Sequence, residues 1–370
     1  MLPSEELPSA EQQRLVEHPP SASGEGLAQA SDASGSLERN PPRPNDCLTG
    51  SHGRPSQREG EQVSPTVENV LPFYLRKANT GQRVCLVTLF NVDTVSPRPL
   101  GSQIAVSEDG ESFGFITGGC AEAAIVHEAL LSLKENRSRT IRIGSDSPWF
   151  DIKLPCGAGI DIHFSVADSR KVIQQSCQQL ANRKPVTLAF DRSNDQVQIV
   201  AEAKRNPKSN CETFFRQYNP TKRLIVIGAG PYVAALESMA KLAEFEVSCW
   251  SPEFDSDQLL NAKQHSLSRS TTIPTSNFDP WTAAVLLFHE HDWEPKLLQT
   301  ILNTDCFYIG TLGSRKTHAD RLQWLREMGV SETDLHRIRG PIGLAINAQT
   351  PAEIALSILS EIVLAYRSSQ

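Results

Sequence analysis

The sequence predicts an α/β protein in two parts: an N-terminal mixed α/β domain, then a Rossmann-like domain on a doubly wound parallel sheet. Three observations carry this. "RLIVIGAGPYVAALESMAKLAEFEVSCW" (223–250) reads strand, glycine turn, helix, strand, the opening unit of a doubly wound fold. Downstream, strands near 282–288 and 306–309 alternate with helices near 293–303, 315–328 and 351–367. Upstream, "GSQIAVSEDGESFGFIT" (101–117) reads as a hairpin turning at Asp109-Gly110.

Taken in order, residues 1–63 are rich in Pro, Ser, Gly, Glu and Gln and poor in aromatic and β-branched residues. Such a segment cannot bury enough surface to offset its ordering entropy, so a disordered tail is expected. Ser64-Pro65 suits a helix start, N-cap then first helical position, with the helix running to Ala78. "RVCLVTLFNV" (83–92) reads as a buried strand. The helix after Cys120 places Val126, Ala129, Leu130 and Leu133 on one face. Strands follow at 139–143 and 159–166, a helix at 168–182, and strands at 185–190 and 196–201. The first domain is therefore expected over 64–202, a polar linker over 203–220, and the second domain over 221–370. Its last helix opens with Thr350-Pro351-Ala352-Glu353, a capping box, and buries Ala355, Ile358, Leu359, Ile362 and Tyr366.

Composition narrows the function. A formal net charge of −7 without a basic stripe argues against nucleic-acid binding. No apolar run reaches the ~18 residues of a membrane span, and the N-terminus lacks the apolar block of a signal peptide. The eight cysteines are scattered without a C-x-x-C pair, which points to a reducing cytoplasm.

Several motifs carry candidate chemistry. In Gly118-Gly119-Cys120 the glycines permit close backbone approach, and a thiol at a helix start is expected to have a lowered pKa. Glu122 in the first turn complements the helix dipole but opposes thiolate formation. A tight turn with a small buried cysteine accounts for the same residues. Cys156, bracketed by Pro155 and Gly157, repeats the theme and raises the prospect of a shared site. Gly228-Ala229-Gly230 occupies the phosphate-turn position, yet Val233 stands where the third glycine belongs and is expected to crowd helix against strand. Ser251 stands where an acid holds the ribose, so ordinary NAD binding is not expected. His289 and His291 follow an apolar strand; extended they diverge, on a loop they converge. In "YIGTLGSRK" (308–316), Gly313 turns the chain and Ser314 caps a helix. Arg315 and Lys316 then fill a first turn where cations are unfavourable unless an anion binds.

Together "GGCAE" (118–122), "LPCG" (154–157), "VIGAG" (226–230), "HEH" (289–291), "YIGTLGSRK" and "PIGLAINAQTPAEIALSILSEIV" (341–363) resemble the xanthine dehydrogenase accessory factor family (XdhC/CoxI) over about 64–370. The resemblance implies a chaperone, not a turnover enzyme, that transiently binds molybdenum cofactor (molybdopterin) and helps deliver it to a xanthine dehydrogenase-type molybdenum hydroxylase. It implies Cys120 and Cys156 as metal ligands. Gly118, Gly119, Glu122, Gly157, Gly228, Gly230, His289, His291, Gly313, Ser314 and Arg315 are then cofactor-binding candidates. A cysteine desulfurase and a second copy of the chain are further candidate partners; no nucleic acid or membrane is expected. The family pattern has His where Pro231 stands, Asp at Ser251, and Asp and Gly at Ala345 and Asn347. The alternative is an NAD(P)-dependent oxidoreductase with a degenerate Rossmann site.

Overall fold

A computed structural model of the chain describes residues 69–93, 98–119, 121–145, 147, 159–201, 212–252 and 262–369. The expected tail and the Ser64-Pro65 helix start lie outside these residues. The first described helix, α1 (Leu71–Asn79), begins later and carries Pro72 in its first turn, with the Asn69 side chain accepting from the Leu71 amide at 3.0 Å. The helix-start logic is the same, moved to the next proline.

The N-terminal part continues with β1 (Val84–Val92), β2 (Gln103–Ser107), β3 (Ser112–Gly114), α2 (Glu122–Glu135), β4 (Arg139–Gly144) and β5 (Gly159–Ser165). The five strands form an antiparallel sheet in the order β3-β2-β1-β5-β4. Then come α3 (Arg170–Ala181), β6 (Val186–Asp191), β7 (Gln196–Val200) and β8 (Thr213–Tyr218), with a three-stranded sheet ordered β7-β6-β8. Alternation along β1 sends Val87 and Leu89 to a core shared with α2, and Val84 and Leu86 to one shared with α1 and α3.

Two expectations change here. On α2 the deeply buried stripe is Ile125, Ala129 and Leu133, while Val126 and Leu130 lie at its margin. Glu122 turns back into the preceding loop, and residues three and seven further on share its face. The expected linker over 203–220 carries β8, which pairs with β6 and buries Phe214 and Tyr218. A short strand after a polar stretch leaves little periodicity, and only its aromatic anchors reveal it.

The C-terminal part comprises β9 (Arg223–Gly228), α4 (Pro231–Leu242), β10 (Glu246–Ser251), β11 (Lys263–Ser266), β12 (Thr282–Leu287), α5 (Glu294–Leu302) and β13 (Tyr308–Thr311). It ends with α6 (Arg315–Glu327), α7 (Glu332–Leu335), β14 (Ile338–Arg339) and α8 (Pro351–Ser368). All six strands are parallel, ordered β11-β10-β9-β12-β13-β14. The strand order reverses between β9 and β12, the switch point at which such folds bind ligands. Every residue of β12 is buried, as a central parallel strand requires. α4 and α8 cover one face through Val233, Leu236, Ile358 and Ile362; α5 and α6 cover the other through Leu297, Leu298 and Leu325. Val233 therefore does not crowd the contact but fills it.

Residues 61–370 form one compact unit. Arg183, after α3, reaches Asp279 (Nε to Oδ2, 2.6 Å) and the Thr221 carbonyl (2.6 Å). The capping box of α8 is present: Thr350 Oγ1 accepts from the Glu353 amide at 3.2 Å, and Glu353 Oε2 accepts from the Thr350 amide at 2.9 Å. α8 also pins the loop before it. Glu361 Oε2 accepts from the Gly343 amide and the Tyr308 hydroxyl, both at 2.6 Å, and Ser357 Oγ donates to the Leu344 carbonyl at 2.6 Å. A Cβ on Gly343 would stand 2.3 Å from Ser357 Oγ. Much of the 341–363 motif thus maintains the fold.

Candidate functional site

After β3 the chain runs through an irregular loop into α2. Gly118 (φ +78°) and Gly119 (φ +116°) take left-handed backbone that other residues rarely adopt, and a Cβ on either meets nothing. The glycines turn four consecutive amides inward, and the chain supplies its own anion to them. Glu122 Oε1 accepts from the amides of Ile116 (3.1 Å), Thr117 (2.6 Å) and Gly118 (2.9 Å). Its Oε2 accepts from the Gly119 amide (2.6 Å) and the Thr117 hydroxyl (2.5 Å). Burial acts to raise the Glu122 carboxyl pKa, but the Thr117 hydroxyl and the amides outweigh it and hold it below the ordinary value. The sequence pattern made Glu122 a ligand candidate beside the helix dipole; the structure gives it a positioning role in the loop. Cys120, Cys156 and Gly157 lie outside the described residues.

A second set of candidates meets at the carboxyl edge of the parallel sheet. Gly228 closes β9 against β12, where a Cβ would stand 2.4 Å from the Leu287 carbonyl oxygen. That glycine is required by the protein's own strand approach. Gly230 (φ +96°) caps α4, whose first turn holds Pro231 and no acid. The exposed His289 leans on Tyr232 of that turn, ring centroids 5.8 Å apart. His291 is not on an extended strand: β12 ends at Leu287, and His291–Trp293 is a 3-10 turn leading into α5. Beside it, the Leu312 amide donates to the Leu286 carbonyl at 2.9 Å, which brings the β13 loop against β12. Gly313 (φ +140°) turns that loop, and Ser314 Oγ accepts from the Thr317 amide at 3.1 Å. Arg315 and Lys316 are exposed in a first turn without any acid. Among the described residues neither has an ion-pair partner. β10 ends at Ser251, which is 2% exposed; Glu253 and Asp255, next along the chain, lie outside the described residues.

The described thiols are poor metal ligands. Burial pushes Cys177 and Cys306 up to about 11 and Cys249 up to about 12, and raises Cys85 further. No group of three or more metal-type side chains occurs among the described residues.

Sequence reasoning missed Glu294 and Arg321. They form an ion pair beneath the β13–α6 loop, each side chain 3% exposed. The pair is bidentate, Nε to Oε2 at 2.6 Å and Nη2 to Oε1 at 2.9 Å, and Nη2 also donates to the Leu312 carbonyl at 2.8 Å. No local signal marks the pair, because Glu294 and Arg321 stand 27 residues apart on different helices.

Fold and site define a two-part α/β protein whose open parallel sheet carries a basic glycine-turned loop at its carboxyl edge. Residues 224–362 match the XdhC Rossmann domain and residues 78–144 the XdhC and CoxI family. The chain is 33% identical over 293 residues to the molybdenum cofactor insertion chaperone PaoD of Escherichia coli (strain K12), covering 79% of this chain and 86% of that protein. It is 24% identical over 320 residues to a probable xanthine dehydrogenase component from Bacillus subtilis (strain 168), covering 76% and 93%. A solved xanthine dehydrogenase from Bacillus halodurans shares the fold, with TM-score 0.65 and 22% identity over 81% of this chain and 96% of that one. The chain belongs to the XdhC/CoxI family.

Proposed function

We propose that the chain is a molybdenum-cofactor insertion chaperone serving a xanthine dehydrogenase-type molybdenum hydroxylase. The observation that carries this is the start of α6: Arg315 and Lys316 exposed, no acid in the first turn, and the loop before it tied to the end of β12, the Leu312 amide donating to the Leu286 carbonyl. Ser314 uses the Thr317 amide, which leaves the preceding amides and the guanidinium to hold a phosphate. Molybdopterin carries one, and supplies the molybdenum centre of the recipient enzyme. Cys120 and Cys156, the two glycine-flanked cysteines of the family motifs, are the proposed metal ligands, and burial disfavours Cys85, Cys177, Cys249 and Cys306 in that role.

We place the exchange in the cytoplasm, with a cysteine desulfurase and a second copy of the chain as further partners. Cysteines scattered without a C-x-x-C pair motivate the compartment, and no described helix is long and apolar enough to cross a membrane. The buried Ser251 at the strand position where a ribose-binding acid belongs speaks against the NAD(P)-dependent oxidoreductase alternative. Anaerobic purification from cofactor-replete cells, with metal analysis and pterin fluorescence, is the test. Stoichiometric pterin and molybdenum, transferable to a cofactor-free hydroxylase, are expected. Protein that holds neither would sink the reading.

A further inference from the structure

β14 ends at Arg339, and the chain then crosses the start of α6 on its way to α8. A Cβ on Gly340 would stand 2.2 Å from His318 Nδ1, and the Ile342 amide donates to the Thr311 carbonyl at the end of β13 at 3.1 Å. This crossing ties the next turn, 343–347, to the carboxyl edge of the sheet. The turn is firmly held. The Leu344 amide donates to the Ser357 carbonyl at 3.2 Å, and the Leu344 carbonyl accepts from Ser357 Oγ at 2.6 Å and from the Ile346 amide at 2.9 Å. Its apolar side chains nevertheless point outward. Leu344 is 37% exposed and Ile346 48%, and Leu356, next to Ser357 on α8, is 50%. A single exposed leucine needs no explanation, but three on adjoining, hydrogen-bonded backbone make a patch that is favourable to cover. The α6 side of this patch is basic. Arg315, Lys316 and Arg339 are exposed, and among the described residues none has an ion-pair partner. Glu353, in the first turn of α8, is engaged by the amides of Gln349 and Thr350.

We propose that this patch is the docking surface for the recipient protein, which presents an apolar spot inside an acidic collar. On the carrier function proposed above, which this assignment requires, a ligand held at the start of α6 leaves through the carboxyl edge. The protein that takes it must therefore cover that edge. Leu344, Ile346 and Leu356 supply the contact from which water is excluded, and the three cations orient an acidic partner. On a chain of net charge −7, a local basic edge also fixes which face such a partner meets. A second copy of the chain fits this patch badly. A two-fold pair centred here lays the patch on itself and gathers both basic edges into one interface. A second copy therefore binds elsewhere.

The test is titration of the full-length protein with the cofactor-free xanthine dehydrogenase-type hydroxylase of the same organism, read by biolayer interferometry at low and high salt. Wild type is compared with Ile346→Glu, Leu356→Glu and Arg339→Gln. These side chains are exposed and lie outside the proposed cofactor site, so melting curves and molybdopterin content are expected to match wild type. Each apolar substitution is expected to weaken hydroxylase binding about tenfold or more, mainly through faster dissociation. Arg339→Gln is expected to slow association and to flatten its dependence on salt, and it decides the charge requirement even where a Glu variant fails to fold. Unchanged affinity in both Ile346→Glu and Leu356→Glu overturns the proposal. So does a wild-type oligomer that dissociates in either variant, because a second copy then covers the patch. Association of wild type that is independent of salt overturns the acidic collar. The carrier function is read separately, from molybdopterin co-purified with wild type. Its absence overturns that function, while molybdopterin retained beside unaltered hydroxylase binding in the variants overturns the docking surface alone.

Discussion

Two turns in this molecule have the same local plan and opposite electrostatics. After β3, glycines lead into α2, and the inward amides are filled by Glu122 of the helix itself. After β13, Gly313 leads into α6, and the first turn holds Arg315 and Lys316 with no acid. One turn carries its own anion and is closed to another. The other leaves its amides and cations facing solvent, the arrangement expected of a site that takes an anion from outside. A glycine before a helix is therefore not in itself a ligand signal; the sign of the next few side chains decides.

The comparison breaks most severely if the frame under the second turn is removed. Glu294→Ala leaves Arg321 charged and buried without its partner, and a loss of about 3–5 kcal/mol is expected. Denaturant unfolding checks this; a loss below about 1 kcal/mol would mean that water replaces Glu294 freely.

Glu122→Gln is the next largest. The amide keeps one carbonyl oxygen but sets an NH2 group where Gly119 and Thr117 donate, for an expected cost of about 2 kcal/mol. The sign of the pH effect follows from the lowered Glu122 pKa. Its contribution is complete above the unfolded carboxyl value, about 4.3, and is lost as pH falls through the lower folded value. Wild type and Glu122→Gln melting curves should converge below about pH 4. A constant gap from pH 7 to 3 would show that the carboxylate charge is not what closes the loop.

Arg315→Glu sharpens the comparison by giving the second turn an acid like the first. Affinity for inorganic phosphate or molybdopterin should fall about ten- to a hundredfold, with stability unchanged or slightly raised. Unchanged affinity would make Arg315 a solvated surface cation. The smallest effect is expected for Lys316→Glu, a gain of about 0.3–1 kcal/mol from the improved dipole match alone. A measurable loss in thermal melts would reveal a structural contact for Lys316.

What was legible in the sequence was periodic or local. The strand–glycine–helix unit at 223–250, the Asp109-Gly110 hairpin and the Thr350 capping box depend on residues close in sequence, and each has a strong local preference. The buried stripe of α8, from Ala355 to Tyr366, reads directly from the helical repeat. β8, β11 and β14 do not: they are short, and their pairing energy comes from strands far along the chain. The same division runs through the candidate site. Arg315 and Lys316 announce themselves because two cations in a first turn are out of place by local rules. Arg321 looks like any helix arginine until α5 brings Glu294 over it and excludes water. Glu122 was visible as a first-turn acid, but its five hydrogen bonds depend on how the 115–119 loop folds back. The sequence alone determined the longer, periodic helices and strands, and where charge opposes local preference. Only the tertiary structure decided which charges are satisfied internally and which remain open to a ligand, because desolvation and pairing are set by groups distant in sequence.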